Sequence, residues 1–169
     1  TEKTKVLILA FPNNPTGAIM EKKDLEAIAE VILKHALYVI SDEIYSELSY
    51  NEAHVSIATL PGMKERTIYV SGFSKAFAMT GWRLGYVCAP KAIDEAMFKI
   101  HQYGIMCAPI MSQHAAIEAL KDGLSDGFAT VEEMRDSYDK RRKFVLHSLQ
   151  EIGLNCFEPQ GAFYALPSV

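Results

Sequence analysis

Metal-ligand spacings and disulfide frameworks are both missing from this sequence. The three cysteines, Cys88, Cys107 and Cys156, are odd in number and far apart. That pattern argues for a reducing compartment and reads as buried thiols rather than a cross-linked or zinc-held scaffold. His35, His54, His101, His114 and His147 never fall at a paired ligand spacing, so no metal is expected. The 17 basic residues are outnumbered by 21 acidic ones and form neither a run nor an aromatic-interleaved stripe, which excludes nucleic acid as the main partner. No apolar run reaches the roughly 18 residues of a membrane span, and no basic start leads into an apolar leader. A soluble, cytoplasmic protein with no membrane partner is expected. Asn14-Pro15-Thr16 has the outline of a glycosylation sequon, with a proline in the middle position that disqualifies it.

What is present is apolar content of 49% over 169 residues, enough to bury a core. Residues 5–11, KVLILAF, form a continuous apolar run ended by PNNPTG, which suits a strand buried on both faces that feeds a tight loop. Leu25, Ile28, Ala29 and Ile32 recur at helical spacing through residues 22–35, and Leu37 to Ile40 then read as a second strand with Asp42 just beyond it. Two strands joined by a helix make a parallel unit. Residues 67–70 and 84–89 add two short strands, and 91–103 and 110–121 read as helices. The fold class is therefore α/β, a mostly parallel, helix-flanked sheet.

Near residue 123 the composition shifts through DGLSDG, and Phe128, Val131, Met134, Tyr138, Val145 and Leu149 mark a long amphipathic helix. NCFEP and AFYALP then read as two short strands of a smaller α+β domain. The expected division is residues 1–123 as part of a large domain and 124–169 as the incomplete start of a small one. About 45 residues are too few to close an independent core, so the chain reads as a piece of something longer.

Ligands of open parallel sheets sit beyond the carboxyl ends of the strands. Here the loops at those ends carry Asn14, then Asp42 and Tyr45, then Ser74 and Lys75. Each has an ordinary structural explanation. NNPTG is a turn sequence, Asp42 a helix cap, Tyr45 a half-buried aromatic and Ser74 a turn residue. Lys75 and Arg83, eight positions apart in the apolar stretch SGFSKAFAMTGWRLG, are harder to place, because long cations are rarely buried without a partner. An aromatic heterocycle bearing an aldehyde and a phosphate explains the whole set. A partly desolvated lysine condenses with the aldehyde, an aspartate keeps the ring nitrogen protonated, and a tyrosine and an asparagine bond the ring oxygen. An arginine fork and a serine hydroxyl hold the phosphate. That ligand is pyridoxal phosphate.

NNPTG, SDEIY and SGFSKAFAMTGWRLGYV together resemble the signature segments of the fold type I, pyridoxal-phosphate-dependent aminotransferases of the class I/II superfamily. The third matches the family's lysine-attachment pattern at every restricted position of the fourteen from Gly72 to Gly85. The resemblance implies a Schiff base on Lys75, pairing of Asp42 with the pyridine nitrogen, Tyr45 and Asn14 at the ring oxygen, and Ser74 with Arg83 at the phosphate. It implies amino-group transfer between an L-amino acid and a 2-oxo acid, by a homodimer. Lys75 then acts as general base, with Asp42 and Tyr45 as its catalytic partners. Several relatives carry a phosphate-binding serine where this chain has Gly72, and Ser71 is the available substitute. Family members are about twice this length, and the arginine that grips the substrate carboxylate has no counterpart after PQGAFYALP. The fragment alone is therefore expected to be inactive. Two other readings share these residues: a carbon–sulfur β-lyase or an aminocyclopropane-carboxylate-synthase-like eliminase, and the non-catalytic aminotransferase-like sensor domain of a transcription regulator.

Overall fold

The computed structural model describes residues 1–168. Its elements run β1 (Val6–Ala10), α1 (Lys22–Lys34), β2 (Tyr38–Asp42), β3 (Thr67–Gly72), β4 (Gly85–Cys88), α2 (Lys91–Gly104), α3 (Ile110–Asp126) and α4 (Ala129–Glu151). The four strands form one sheet in the order β1-β2-β3-β4. β1, β2 and β3 are parallel, with Ala10 beside Asp42 and Asp42 beside Val70, so their carboxyl ends share one rim. β4 runs antiparallel, Gly72 pairing with Gly85. It therefore starts at the rim where the others end, and this reversal brings the Arg83 segment level with the loops that follow β1, β2 and β3.

α1 covers one face of the sheet. Leu25, Ala29 and Ile32 recur three and four positions apart and pack on Leu9 and Val39, with Ile57, Leu60 and Met63 closing the cluster. Each fully buried aliphatic side chain of this kind contributes about 1.5–3 kcal/mol. Neither face of β1 is uniformly buried, contrary to the expectation from its apolar run, for Ile8 is 69% exposed while Leu9 lies in the core. The cysteines differ from expectation too. Cys88 and Cys107 are exposed and Cys156 is half-buried, because β4 is exposed along its length and the α2–α3 link packs on little. Among the described residues no helix is long and apolar enough to cross a membrane.

α3 continues through the DGLSDG segment to Asp126, and the break comes at Gly127 and Phe128, both with positive φ. α4 then returns toward the sheet. The two strands expected after it reduce to isolated bridges, Cys156 to Pro167 and Ser49 to Gly161. The N–H groups of Gln160, Gly161 and Ala162 go instead to the loops of the sheet, at Gly17 and Leu48, and no second ladder forms among the described residues.

One such contact fixes the rim. The Gly17 carbonyl accepts the N–H groups of both Gln160 and Gly161, at 2.8 and 2.9 Å. Gly17 has φ +70°, and a Cβ there would lie 2.2 Å from Pro159 Cβ. Only glycine meets both demands. Gly17→Ala should cost about 2–4 kcal/mol, strain and overpacking together, and lower the denaturant midpoint accordingly. An unchanged midpoint would show that this backbone contact is not needed.

Candidate functional site

The loop after β1 divides its two asparagines between different jobs. Asn13 makes the turn: its Oδ1 accepts the Thr16 hydroxyl at 2.8 Å, its N–H donates to Ala18, and its carbonyl accepts from Gly17. Asn14 is exposed and its side chain has no hydrogen bond among the described residues. The turn thus has its donors and acceptors without Asn14, whose amide stays open for a ligand.

The same division occurs at the end of β2. Glu43, with 2% relative exposure, is satisfied three times over: it accepts the hydroxyls of Ser41 at 2.8 Å and Ser56 at 2.7 Å, and lies 2.6 Å from His54 Nε2. Asp42, half-buried, accepts only the Ile44 N–H, at 3.2 Å, among the described residues. Asp42 therefore caps no helix, since the next helical turn starts at Ser46 with Tyr45 before it; it braces only the turn after β2, and most of its acceptor capacity is open.

Tyr45 is only 6% exposed. It packs with Leu48 and Ala162, and its ring meets Phe163 and Tyr164 edge-on at centroid distances of 5.4 and 5.8 Å. Burial pushes the Tyr45 phenol well above its ordinary value. It remains a protonated donor throughout the neutral range.

Lys75 lies in the turn that follows β3, half-buried. Its Nζ is 5.5 Å from the Tyr45 ring centroid and 5.3 Å from that of Phe163, and it forms no ion pair with a carboxylate among the described residues. Two aromatic faces stabilise the cation without neutralising it. The turn closes through Thr80. Its hydroxyl donates to the Ser74 carbonyl at 2.8 Å, and its carbonyl accepts Arg83 Nη1 at 2.9 Å. This relay links Ser74 to Arg83 and gives their spacing a structural cause. Arg83, exposed and left-handed at φ 53°, keeps the rest of its fork for solvent or a ligand.

Gly72 and Ser71 are both buried. A Cβ at Gly72 would lie 2.8 Å from Gly85 Cα and 2.9 Å from the Leu84 carbonyl oxygen. The close approach of β3 and β4 thus bars a serine there in this backbone. Ser71 faces a cavity that it shares with Tyr69, Tyr86 and Phe77.

The structure brings Lys75 and Tyr45 together and adds two residues not singled out from the sequence, Phe163 and Tyr164. Their signal was the aromatic pair after QGA, legible as apolar strand residues but not as neighbours of a lysine far back in the chain. A family model described as aminotransferase class I and II matches residues 1–169. The chain belongs to this family. It is 57% identical over 169 residues to YugH, a provisionally named aminotransferase of Bacillus subtilis, covering all of this chain and 43% of that protein. It is 53% identical over 170 residues to an aspartate aminotransferase of Pyrococcus abyssi, with the same coverage. The solved aromatic aminotransferase of Pyrococcus horikoshii matches with a TM-score of 0.94 and 53% identity, over 100% of this chain and 45% of that one. The aspartate aminotransferase of Thermus thermophilus with maleate matches at 0.93 and 41%, over 99% and 43%. The chain spans less than half the length of these relatives.

The Glu43 cluster yields a pH prediction. Burial disfavours its charge, but the hydrogen bonds from His54, Ser56 and Ser41 outweigh it and hold the carboxyl below its ordinary 4.5. A value depressed by folding stabilises fully above 4.5, and that contribution is lost as pH falls through the lower folded value. Glu43→Gln should therefore cost about 1–3 kcal/mol at neutral pH. In denaturant titrations the gap to wild type should narrow below pH 4.5, and a gap independent of pH would contradict the assignment.

Proposed function

We propose that this chain is the cofactor-holding part of a pyridoxal-phosphate-dependent aminotransferase that moves an amino group between an L-amino acid and a 2-oxo acid. The observation that supports the reading is Lys75: a half-buried amine between two aromatic faces with no carboxylate partner among the described residues, in the turn that follows β3. An amine so placed is kept from a structural ion pair and is accessible to an electrophile.

The donor set fits the cofactor. Lys75 would attach its aldehyde carbon, and the open carboxylate of Asp42 would hold a proton on the ring nitrogen. Tyr45, kept as a donor, and the unused Asn14 amide would bond the ring oxygen. Ser74 and Arg83, tied together through Thr80, would hold the phosphate, for which a planar fork suits the oxygens. When bound, pyridoxal phosphate supplies an electron sink for the pair released when a bond at the substrate Cα breaks. Once the substrate amine takes its place on the cofactor, Lys75 Nζ would act as the general base that takes up the substrate Cα proton and later gives it back. The rings of Tyr45 and Phe163 form an aromatic wall beside the Lys75 amine.

The same reading divides the chain into residues 1–123, part of the large cofactor domain, and 124–169, the start of the small one. It also makes the complete protein a cytoplasmic homodimer. Large exposed apolar side chains on α2 and α3, Phe98, Ile100, Ile110 and Met111 among them, are consistent with further protein covering these helices.

In the full-length protein, Lys75→Ala should abolish the near-visible absorbance acquired with pyridoxal phosphate and reduce turnover about a thousandfold or more. Turnover at the wild-type level would sink the reading. A panel of amino donors with 2-oxoglutarate should yield the exchanged amino acid and oxo acid. Pyruvate and ammonia in their place would identify a lyase.

A further inference from the structure

The two phenol oxygens of Tyr45 and Tyr164 are 2.5 Å apart, a direct side-chain link between the rim loops and the segment after α4. Neither ring is free to drift. Tyr164 follows Ala162, whose N–H donates to the Leu48 carbonyl at 2.9 Å and whose carbonyl accepts the Tyr50 hydroxyl. Just before it, the N–H groups of Gln160 and Gly161 are held on the Gly17 carbonyl. Tyr45 is enclosed by Leu48, Ala162 and the rings of Phe163 and Tyr164. Packing alone would be met as well by phenylalanine at 164, so the hydroxyl needs a reason of its own.

A phenol has one proton to donate and lone pairs to accept with. Tyr45 can give its only O–H to Tyr164 or to a ligand, not to both. We infer that Tyr164 is a positioning residue for Tyr45: its hydroxyl donates to the Tyr45 oxygen, which directs the single Tyr45 proton to the ring oxygen of the cofactor and strengthens that bond. The inference rests on the assignment of Tyr45 to the ring oxygen under the proposed function. A phenol that accepts a hydrogen bond becomes a better donor, by about 10–30% per link in a chain. The titratable and charged groups around Tyr45 are Lys75 over its face, Asp42 nearby, Tyr164, and Tyr138 of α4 at the edge of the same cluster.

The consequence has a definite sign. A proton shared between the ring oxygen and the Lys75 nitrogen is held less tightly when the oxygen receives a strong donor. Loss of the Tyr164 hydroxyl weakens that donor and raises the pH at which the proton leaves. The measurement is the pH midpoint of the bound cofactor's absorbance in the full-length holoenzyme, which does not depend on turnover. Tyr164→Phe should raise the midpoint by about 0.3–1 pH unit, a two- to tenfold change in proton affinity. Tyr45→Phe should raise it further, and Tyr164→Phe should add nothing on the Tyr45→Phe background. Site-specific 3-fluorotyrosine at position 164, a stronger donor of the same shape, should lower the midpoint, a reversal that altered packing does not produce.

An unmoved or lowered midpoint in Tyr164→Phe, or a shift that persists on the Tyr45→Phe background, overturns this inference while leaving the Tyr45 assignment intact, provided that Tyr45→Phe itself moves the midpoint. A midpoint indifferent to Tyr45→Phe overturns both. Where Tyr164→Phe folds poorly, the fluorotyrosine substitution decides: a lowered midpoint upholds the role of Tyr164, and an unmoved or raised one overturns it.

Discussion

Two N–H groups on one carbonyl hold this site together. Gly17 closes the loop after β1, and its oxygen takes the amides of Gln160 and Gly161 from a segment more than 140 positions later. Because that segment is anchored at the rim, the next residues have little choice. Ala162 reaches Leu48, and Phe163 and Tyr164 close over Tyr45 and Lys75. The far side of the same segment is held by Arg142 of α4, which bonds Asp139, Glu158 and the Pro159 carbonyl with its own side chain almost buried. Burial raises the Tyr50 phenol, between Arg142 and Ala162, to about 12, so it stays a donor to the Ala162 carbonyl. The cation of α4 and the carbonyl of the β1 loop therefore grip one short stretch from opposite sides.

The site is built from neighbours with divided duties. Asn13 completes the turn and Asn14 is left open; Glu43 is satisfied by three partners and Asp42 by one. Thr80 bonds backbone so that Ser74 and Arg83 are tied without using the Ser74 hydroxyl. The physical reason is common to all three. A donor or acceptor site that holds a loop is lost to any ligand, because each such site serves once. The adjacent residue carries the local structure, and the functional side chain keeps its capacity.

The sheet, the helices and the rim were legible in the sequence because they rest on periodicity and on the single-residue chemistry of short loops. β1, α1, β2 and β3 lie within a residue or two of their apolar runs, and Lys75 stood out because a cation in SGFSKAFAMTGW has no local explanation. What could not be read locally depended on contacts between distant segments. AFYALP reads as a strand, but Gln160 and Gly161 just before it are held on the Gly17 carbonyl and its own Ala162 N–H goes to Leu48, so it becomes a clasp rather than a ladder. The cysteines and Ile8 were read as interior from residue type alone. Whether an apolar residue is buried depends on which element covers it, and that is absent from the residue itself.

The conflict between local and global reading is sharpest at Phe163. Its ring is 38% exposed, yet it touches Tyr45, Tyr138 and Tyr164 and lies 5.3 Å from the Lys75 ammonium. The ring is not turned wholly inward. One side of it instead completes the aromatic wall beside the lysine and the other faces open space, the condition for a surface that a small ligand can still reach. Burial is thus graded across the site: Tyr45 and Glu43 are fixed inside, Asp42 and Lys75 half-covered, and Asn14, Phe163 and Arg83 open at the edge. The gradient lets the interior set the protonation of Tyr45 while the open edge supplies access, so that one rim can both tune a ligand and exchange it.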